Sequence, residues 1–284
     1  MREINSLKYS LDMLRLEYKL SLDDCQFFLD SLDGRLDYDY YSSFKCFTYK
    51  HQFTFKCKLS SFTVLCDFNG TTQTRDKIVI VEFNPNKVGN EVSLLQILKT
   101  LSNLARRCRI VRFDVASDIK VARNHVFMVQ RDQRTYSCYK NSSLDFTEYL
   151  GHRNKHAFVK VYNKALEQDC NDKDLTRIEI TVEWERHQEY KFLFPCIYVL
   201  GDFQTDIEFI GLSGTDKVLV LACLDNHSYL DMLSRNKREK IKQFIATHSS
   251  IISPDLIQYQ EVCKLAEEYL YRPHQILNNI LNSD

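Results

Sequence analysis

Hydrophobic and polar positions alternate along much of this chain, and the period of the alternation predicts its elements. Ser21 can cap a helix: Asp23 and Asp24 favour the first turn, and Cys25, Phe28 and Leu29 follow at helical spacing. Just before it, residues 11–20 suit a strand or a helix start equally. Residues 44–68 are rich in Phe, Tyr, Thr and Val with alternation, which predicts two or three antiparallel strands. Residues 77–83 predict a buried strand ended by Asn84, Pro85 and Asn86. Residues 91–106 predict a helix with Val92, Leu95, Ile97, Leu98 and Leu101 on one side.

The second half repeats the theme. Residues 110–119, 126–130, 134–139, 157–163 and 176–184 carry alternating or β-branched residues and read as strands. Residues 192–200 suit helix or strand, and from His227 the pattern turns helical to the end. Two β-rich halves followed by helices predict an α+β protein with antiparallel sheets packed by helices. The expected division is a β-rich subdomain over residues 1–108, a second over 109–215 and a helical segment over 216–284.

Strand geometry places chemistry on one face. Residues i and i+2 of a strand point the same way, so Arg112, Asp114, Ala116 and Asp118 align, opposite Val111, Phe113 and Val115. Lys160, Tyr162 and Lys164 align likewise, as do Arg177, Glu179, Thr181 and Glu183. Acids, bases and a tyrosine thus gather on the polar faces of three predicted strands. On its own the pattern also describes a half-exposed antiparallel sheet with cross-strand ion pairs.

Composition narrows the function classes. The 284 residues carry 38 Lys+Arg against 38 Asp+Glu, which argues against a non-specific nucleic-acid coat but not against a specific binder with a concentrated basic face. Residues 6–22 mix charges with apolar positions and lack the core of a signal peptide, and no stretch suits a membrane span, so a cytoplasmic protein is expected. The 10 cysteines are scattered without a C-x-x-C pair, so free thiols are favoured over disulfides or zinc.

Four segments taken together add a resemblance: VEFNPNK at 81–87, VRFDVASD at 111–118, YLGHRNKHAFVKVYNKALEQ at 149–168 and TRIEITVE at 176–183. In this order they resemble the Rep_trans-type rolling-circle plasmid replication initiation proteins, a family that also includes mobilisation relaxases and phage replication proteins. LSRNKREKIKQFI at 233–245 resembles the family's C-terminal basic helix. The similarity spans roughly residues 75–250. His152, Lys155 and Ser117 depart from the family pattern. Other rolling-circle families hold a metal with a His-hydrophobic-His pair, which His125, His152 and His156 do not form.

The resemblance implies a metal-dependent enzyme that nicks and rejoins one DNA strand at a plasmid double-strand origin through a 5′-phosphotyrosine. Tyr162 is the expected nucleophile, with Tyr149 the next candidate. A free tyrosine, with a pKa of ~10, needs activation at neutral pH. Asp114 and Glu179 are the expected ligands of Mg²⁺ or Mn²⁺, with Asp118 a weaker third. Arg153, Lys160, Lys164 and Arg177 are expected to hold phosphates; each alone also fits a surface cation or an ion pair. Gly151 suits a close backbone approach to DNA or a plain turn. Asn236 and Glu239 have capping-box spacing, predicting a helix start near Asn236 after a short helix at 229–233. Origin recognition is assigned to Arg235, Asn236, Lys237 and Arg238. The implied partners are origin DNA, double- and single-stranded, a second copy of the chain, and host helicase and polymerase. A mobilisation relaxase or phage initiator shares this chemistry; a non-catalytic DNA-binding regulator is the reading from another class.

Overall fold

Residues 11–20 resolve as part of a strand, because Leu14, Leu16, Tyr18 and Leu20 recur at every second position and all are buried. The computed structural model describes residues 7–32, 38–42, 49–58, 60–68, 76–128, 133–141, 145–167, 174–200, 212–225 and 229–282. In chain order the elements begin with β1 (Lys8–Leu20), α1 (Leu22–Leu32), β2 (Tyr38–Ser42), β3 (Tyr49–Lys56), β4 (Ser61–Phe68) and β5 (Lys77–Phe83). They continue with α2 (Pro85–Val88), α3 (Val92–Leu104), β6 (Arg107–Ile119), β7 (Val126–Phe127), β8 (Tyr136–Lys140) and β9 (Phe146–Leu150). Then come β10 (Val159–Asn163), α4 (Lys164–Glu167), β11 (Thr176–Glu183), α5 (Tyr190–Leu193) and β12 (Ile197–Leu200). The last are α6 (Gly214–Asp225), α7 (Tyr229–Met232), α8 (Arg235–Thr247), β13 (Ser249–Ile252), α9 (Leu256–Tyr271) and α10 (Pro273–Leu281). The architecture is α+β, with antiparallel strand pairs throughout the hairpins.

The chain divides into two compact units. The terminal unit comprises Ser10–Val115, Val182–His187 and Ile257–Asp284. Its strands run in the order β2-β3-β4-β5-β1-β6. The start of α1 follows its sequence signal: the Asp24 N–H donates to Ser21 Oγ at 3.1 Å, while the Ser21 hydroxyl donates back to Asp24 Oδ2. Asn84 caps α2, accepting from the Asn86 N–H at 2.9 Å. α3 buries Leu94, Leu95, Ile97, Leu98 and Leu101, whereas Val92, expected on that side, is exposed at the helix start. Phe83 packs edge-on to Tyr269 of α9, and Phe113 lies against Trp184 and Tyr259.

The central unit comprises Met1–Tyr9, Ala116–Thr181 and Gln188–Leu256. Its strands run β6-β11-β10-β9-β8, and a smaller sheet has the order β13-β12-β7. Strand β9, unanticipated from the sequence, alternates buried Phe146, Glu148 and Leu150 with half-buried positions; its charged inward residue hides the period. Arg123 explains that residue: its guanidinium donates to Glu148 at 2.5 Å and to the Val126 carbonyl, and the pair is almost wholly buried. Residues 192–200 divide between both predicted types, completing α5 and then forming β12. The helical C-terminal region is interrupted by β13. Around α8, Ile241 and Ile245 pack with Phe127, Tyr198, Val220, Cys223 and Leu230 into one apolar cluster. Each of its aliphatic and phenylalanine side chains contributes roughly 1.5–3 kcal/mol by leaving water.

Among the described residues the cysteines are free thiols, and no helix is long and apolar enough to cross a membrane.

Candidate active site

Register brings the predicted chemistry of the central unit together. β10 and β11 pair antiparallel with Tyr162 opposite Arg177 and Lys160 opposite Glu179, while β9 sets Tyr149 opposite Lys160. Same-face diagonals of such a ladder lie within reach of long side chains. Tyr162 uses one: its hydroxyl donates to Glu179 Oε1 at 2.5 Å. Lys160 Nζ lies 3.5 Å from Glu179 Oε2 and 3.9 Å from the centroid of the Tyr162 ring, a cation–π position.

Lys164 differs from its expected setting. It opens α4 instead of extending β10, and its ammonium lies 5.8 Å from the Tyr162 ring centroid and 2.8 Å from Glu167 Oε2. Helix α4 also brings Glu167 towards the phenol. Tyr162, Asn163, Leu166 and Glu167, with Asp145 and Thr147, line a cavity of about 390 Å³.

The expected half-open polar face is mostly covered. Tyr162 is 6% exposed, Arg177 7% and Lys164 3%. Burial therefore pushes the Tyr162 phenol well above its ordinary value, with the charge and hydrogen bond of Glu179 adding to the shift and Glu167 contributing further. Burial pushes Glu167 upward as well, but the hydrogen bonds from Lys164 and Tyr162 prevail and hold its carboxyl below the usual value.

Asp118 has a different partner from the one expected. Arg177 grips both its oxygens, Nε to Oδ1 at 2.6 Å and Nη2 to Oδ2 at 2.7 Å. This bidentate pair engages a proposed metal ligand with a proposed phosphate-binding cation. Asp114 falls on the stretch of β6 that belongs to the terminal unit and is half-buried. Among the described residues, no three His, Cys, Asp or Glu side chains converge as a metal cluster.

Arg153 sits exposed on the turn between β9 and β10. That turn uses left-handed backbone at Gly151 (φ 82°), Asn154 (φ 63°) and Ala157 (φ 65°). A Cβ on Gly151 would meet the Ala157 carbonyl oxygen at 3.3 Å at a backbone angle that disfavours side chains, so the turn itself favours glycine here. His152 is exposed, and His156 lies 3.6 Å from Glu189.

The basic helix α8 begins at Arg235, with Ser234 at the cap position. Asn236 is therefore inside the first turn and is not the cap that its spacing suggested. Arg235, Asn236 and Lys237 are exposed. Arg238 donates to the Leu233 and Asp231 carbonyls at 3.1 and 3.3 Å, closing the end of α7. Glu167 and Asp216, which sequence reasoning passed over, contact the tyrosine and the basic helix. The KALE spacing of Lys164 and Glu167 was the available signal for the first; Asp216 offered none.

The chain is similar in sequence to replication initiation proteins. A stretch of 185 residues, 63% of the chain, is 25% identical to a replication initiation protein of Staphylococcus aureus, and others from that organism match at 24% and 22%. The chain spans 57% of the length of these curated relatives. A rolling circle replication initiator from Geobacillus stearothermophilus superposes with a TM-score of 0.42 at 14% identity, over 72% of this chain and 90% of that one. No family model matches the chain.

Proposed function

We propose that this chain is a rolling-circle replication initiator that nicks and rejoins one strand at a plasmid double-strand origin, with Tyr162 as nucleophile. The observation that carries this reading is the Tyr162–Glu179 hydrogen bond, with the Lys160 ammonium over the same ring.

The tyrosine oxygen attacks a backbone phosphorus, the bond from phosphorus to the 3′ oxygen breaks, and a 5′-phosphotyrosine forms. Glu179 takes the phenolic proton, and the departing 3′ oxygen gains one from a neighbouring acid or solvent. Reversal reseals the strand, because a phenolate is a good leaving group. Lys160 and Lys164 offset charge on the phosphate and phenolate. The proton transfer is steep: an ordinary phenol and an ordinary carboxylate differ by about six pKa units, roughly 8 kcal/mol, and burial of Tyr162 widens the gap.

That gap calls for added positive charge. A hard divalent ion, Mg²⁺ or Mn²⁺, would supply it by polarising the phosphate, and the hard oxygens of Glu179 would help hold such an ion. One or two carboxylates plus substrate phosphates is the usual Mg²⁺ arrangement, so a third protein ligand is unnecessary. Asp118 is unsuited while Arg177 holds it. Origin DNA is read by the start of α8. A second copy of the chain and host helicase and polymerase are the partners this role requires.

The test incubates the protein with single-stranded oligonucleotides covering its replicon, with Mg²⁺ or Mn²⁺ or with chelator. A covalent adduct on denaturing gels is expected with metal and absent with chelator, and peptide mapping should place it on Tyr162. An adduct on Tyr149, or none under any condition, overturns the assignment.

A further inference from the structure

The basic run of α8 looks, as sequence, like a surface that would attract any phosphate. The structure answers much of that charge from within the central unit. Asp216, in the first turn of α6, has a side chain only 2% exposed. Its Oδ1 accepts from Lys237 Nζ at 2.5 Å and its Oδ2 from Lys240 Nζ at 2.7 Å. These lysines lie three apart and so share one helix face. Their side chains remain about half-exposed, at 45% and 49%, so both lysines lie at the protein surface. The Asp216 N–H donates to Ser213 Oγ at 3.2 Å, which helps fix the carboxylate at the start of α6. Hydrogen bonds from Lys237 and Lys240 hold the Asp216 carboxyl well below the usual range, so it is ionised at any working pH.

The other cations of α8 are unequal. Arg238 is turned onto the carbonyls that end α7, and Lys242 reaches Glu239 at 3.5 Å. Arg235 is exposed and makes no ion pair among the described residues. The helix thus presents Arg235 and Asn236 outward at its first turn while two lysines are held by one carboxylate.

We propose that Asp216 is a specificity-determining residue that restrains Lys237 and Lys240 from the DNA backbone, so that α8 engages its site through base-edge contacts from Arg235 and Asn236 with reduced sequence-blind attraction. Phosphate contacts are alike at every site and raise affinity everywhere, whereas base-edge contacts discriminate. Withholding two cations lowers the first contribution and leaves the second. This rests on the reading of α8 as the DNA-recognition helix.

The test uses two probes, a random-sequence duplex pool and the duplex that the unaltered protein enriches from it. Binding is measured by fluorescence anisotropy across a salt series. Asp216→Asn should tighten binding to the random pool and reduce the preference for the enriched duplex. The slope of log K against log salt should steepen by up to about 1.8, roughly 0.9 for each lysine that gains a phosphate. Asp216→Glu, which keeps the carboxylate, should stay nearer the unaltered slope. Adding Lys237→Gln and Lys240→Gln to the Asp216→Asn chain should cancel the gain, a result that mere loosening of the fold would not give. If the unaltered protein binds its enriched duplex and Asp216→Asn leaves slope and preference unchanged, the restraint is overturned and the recognition helix stands. If the unaltered protein binds no duplex, both fall.

Discussion

Each unit brings together a tyrosine, a glutamate and a cation from the strands of its sheet, and the two trios are wired differently. In the terminal unit, Arg15 donates to Glu82 at 3.1 Å and to the Tyr49 hydroxyl at 3.0 Å. The phenol oxygen there accepts from a guanidinium. In the central unit the phenol of Tyr162 is the donor, Glu179 accepts its proton, and an ammonium covers the ring. The ingredients are alike, and the proposed nucleophile is the phenol that donates its proton to a carboxylate. Tyr136 also donates to a carboxylate, that of Glu148, at 2.9 Å, so what singles out Tyr162 as the proposed nucleophile is its hydrogen bond to Glu179 together with the Lys160 ammonium over its ring.

The largest test of that contrast exchanges the tyrosines. Tyr162→Phe should reduce the covalent DNA adduct to the detection limit on denaturing gels, while Tyr49→Phe should leave it at the level of the unaltered chain. An adduct that survives Tyr162→Phe would erase the distinction. Next come the carboxylates. Glu179→Gln should slow cleavage roughly 10²–10⁴-fold, the usual contribution of a positioned base. Glu82→Gln should leave cleavage alone and cost ~0.2–1 kcal/mol in urea unfolding, as for a partly exposed pair; the Arg15 and Glu82 side chains are 22% and 25% exposed.

A smaller effect is read in alkali. The folded chain keeps the Tyr162 phenol protonated above its ordinary pKa of 10.0, whereas the unfolded chain releases that proton near 10. Above that pH the unfolded state binds fewer protons, so stability is full below pH 10 and falls as pH rises. Each pH unit costs up to about 1.4 kcal/mol from this group. Urea midpoints measured at pH 10 and 11 should therefore drop less for Tyr162→Phe than for the unaltered chain. Equal drops would mean the phenol is not held back.

Much of this was legible in the sequence. β6, β10 and β11 appear where alternation placed them, and Tyr162, Lys160, Glu179 and Arg177 share a neighbourhood because β-strand period and antiparallel register fix which faces meet. The wiring was not legible. Pattern sets Arg177 and Asp118 on polar faces but does not say that they clasp each other. Lys164 lies one position past the expected end of the strand at residue 163, so its place on the polar face was an extrapolation; it opens α4 instead, where the Asn163 side-chain oxygen accepts from the Leu166 N–H. β9 was concealed by Glu148, an inward charge whose partner, Arg123, lies 25 positions away in sequence.

The turn joining β9 to β10 has a consequence for sequence tolerance. Ala157 holds a left-handed conformation that disfavours any Cβ by roughly 1–2 kcal/mol. Hydrogen bonds keep it there: its N–H donates to the Thr181 carbonyl at 2.9 Å, and its own carbonyl accepts from Arg134 at 2.8 Å. The path of the hairpin is thus set by backbone handedness and by anchors outside the tip. The intervening side chains of His152, Arg153 and Lys155 all project into solvent. They form an exposed surface on a fixed support, where grafts, labels or charge changes can be installed beside β10 without recasting its frame.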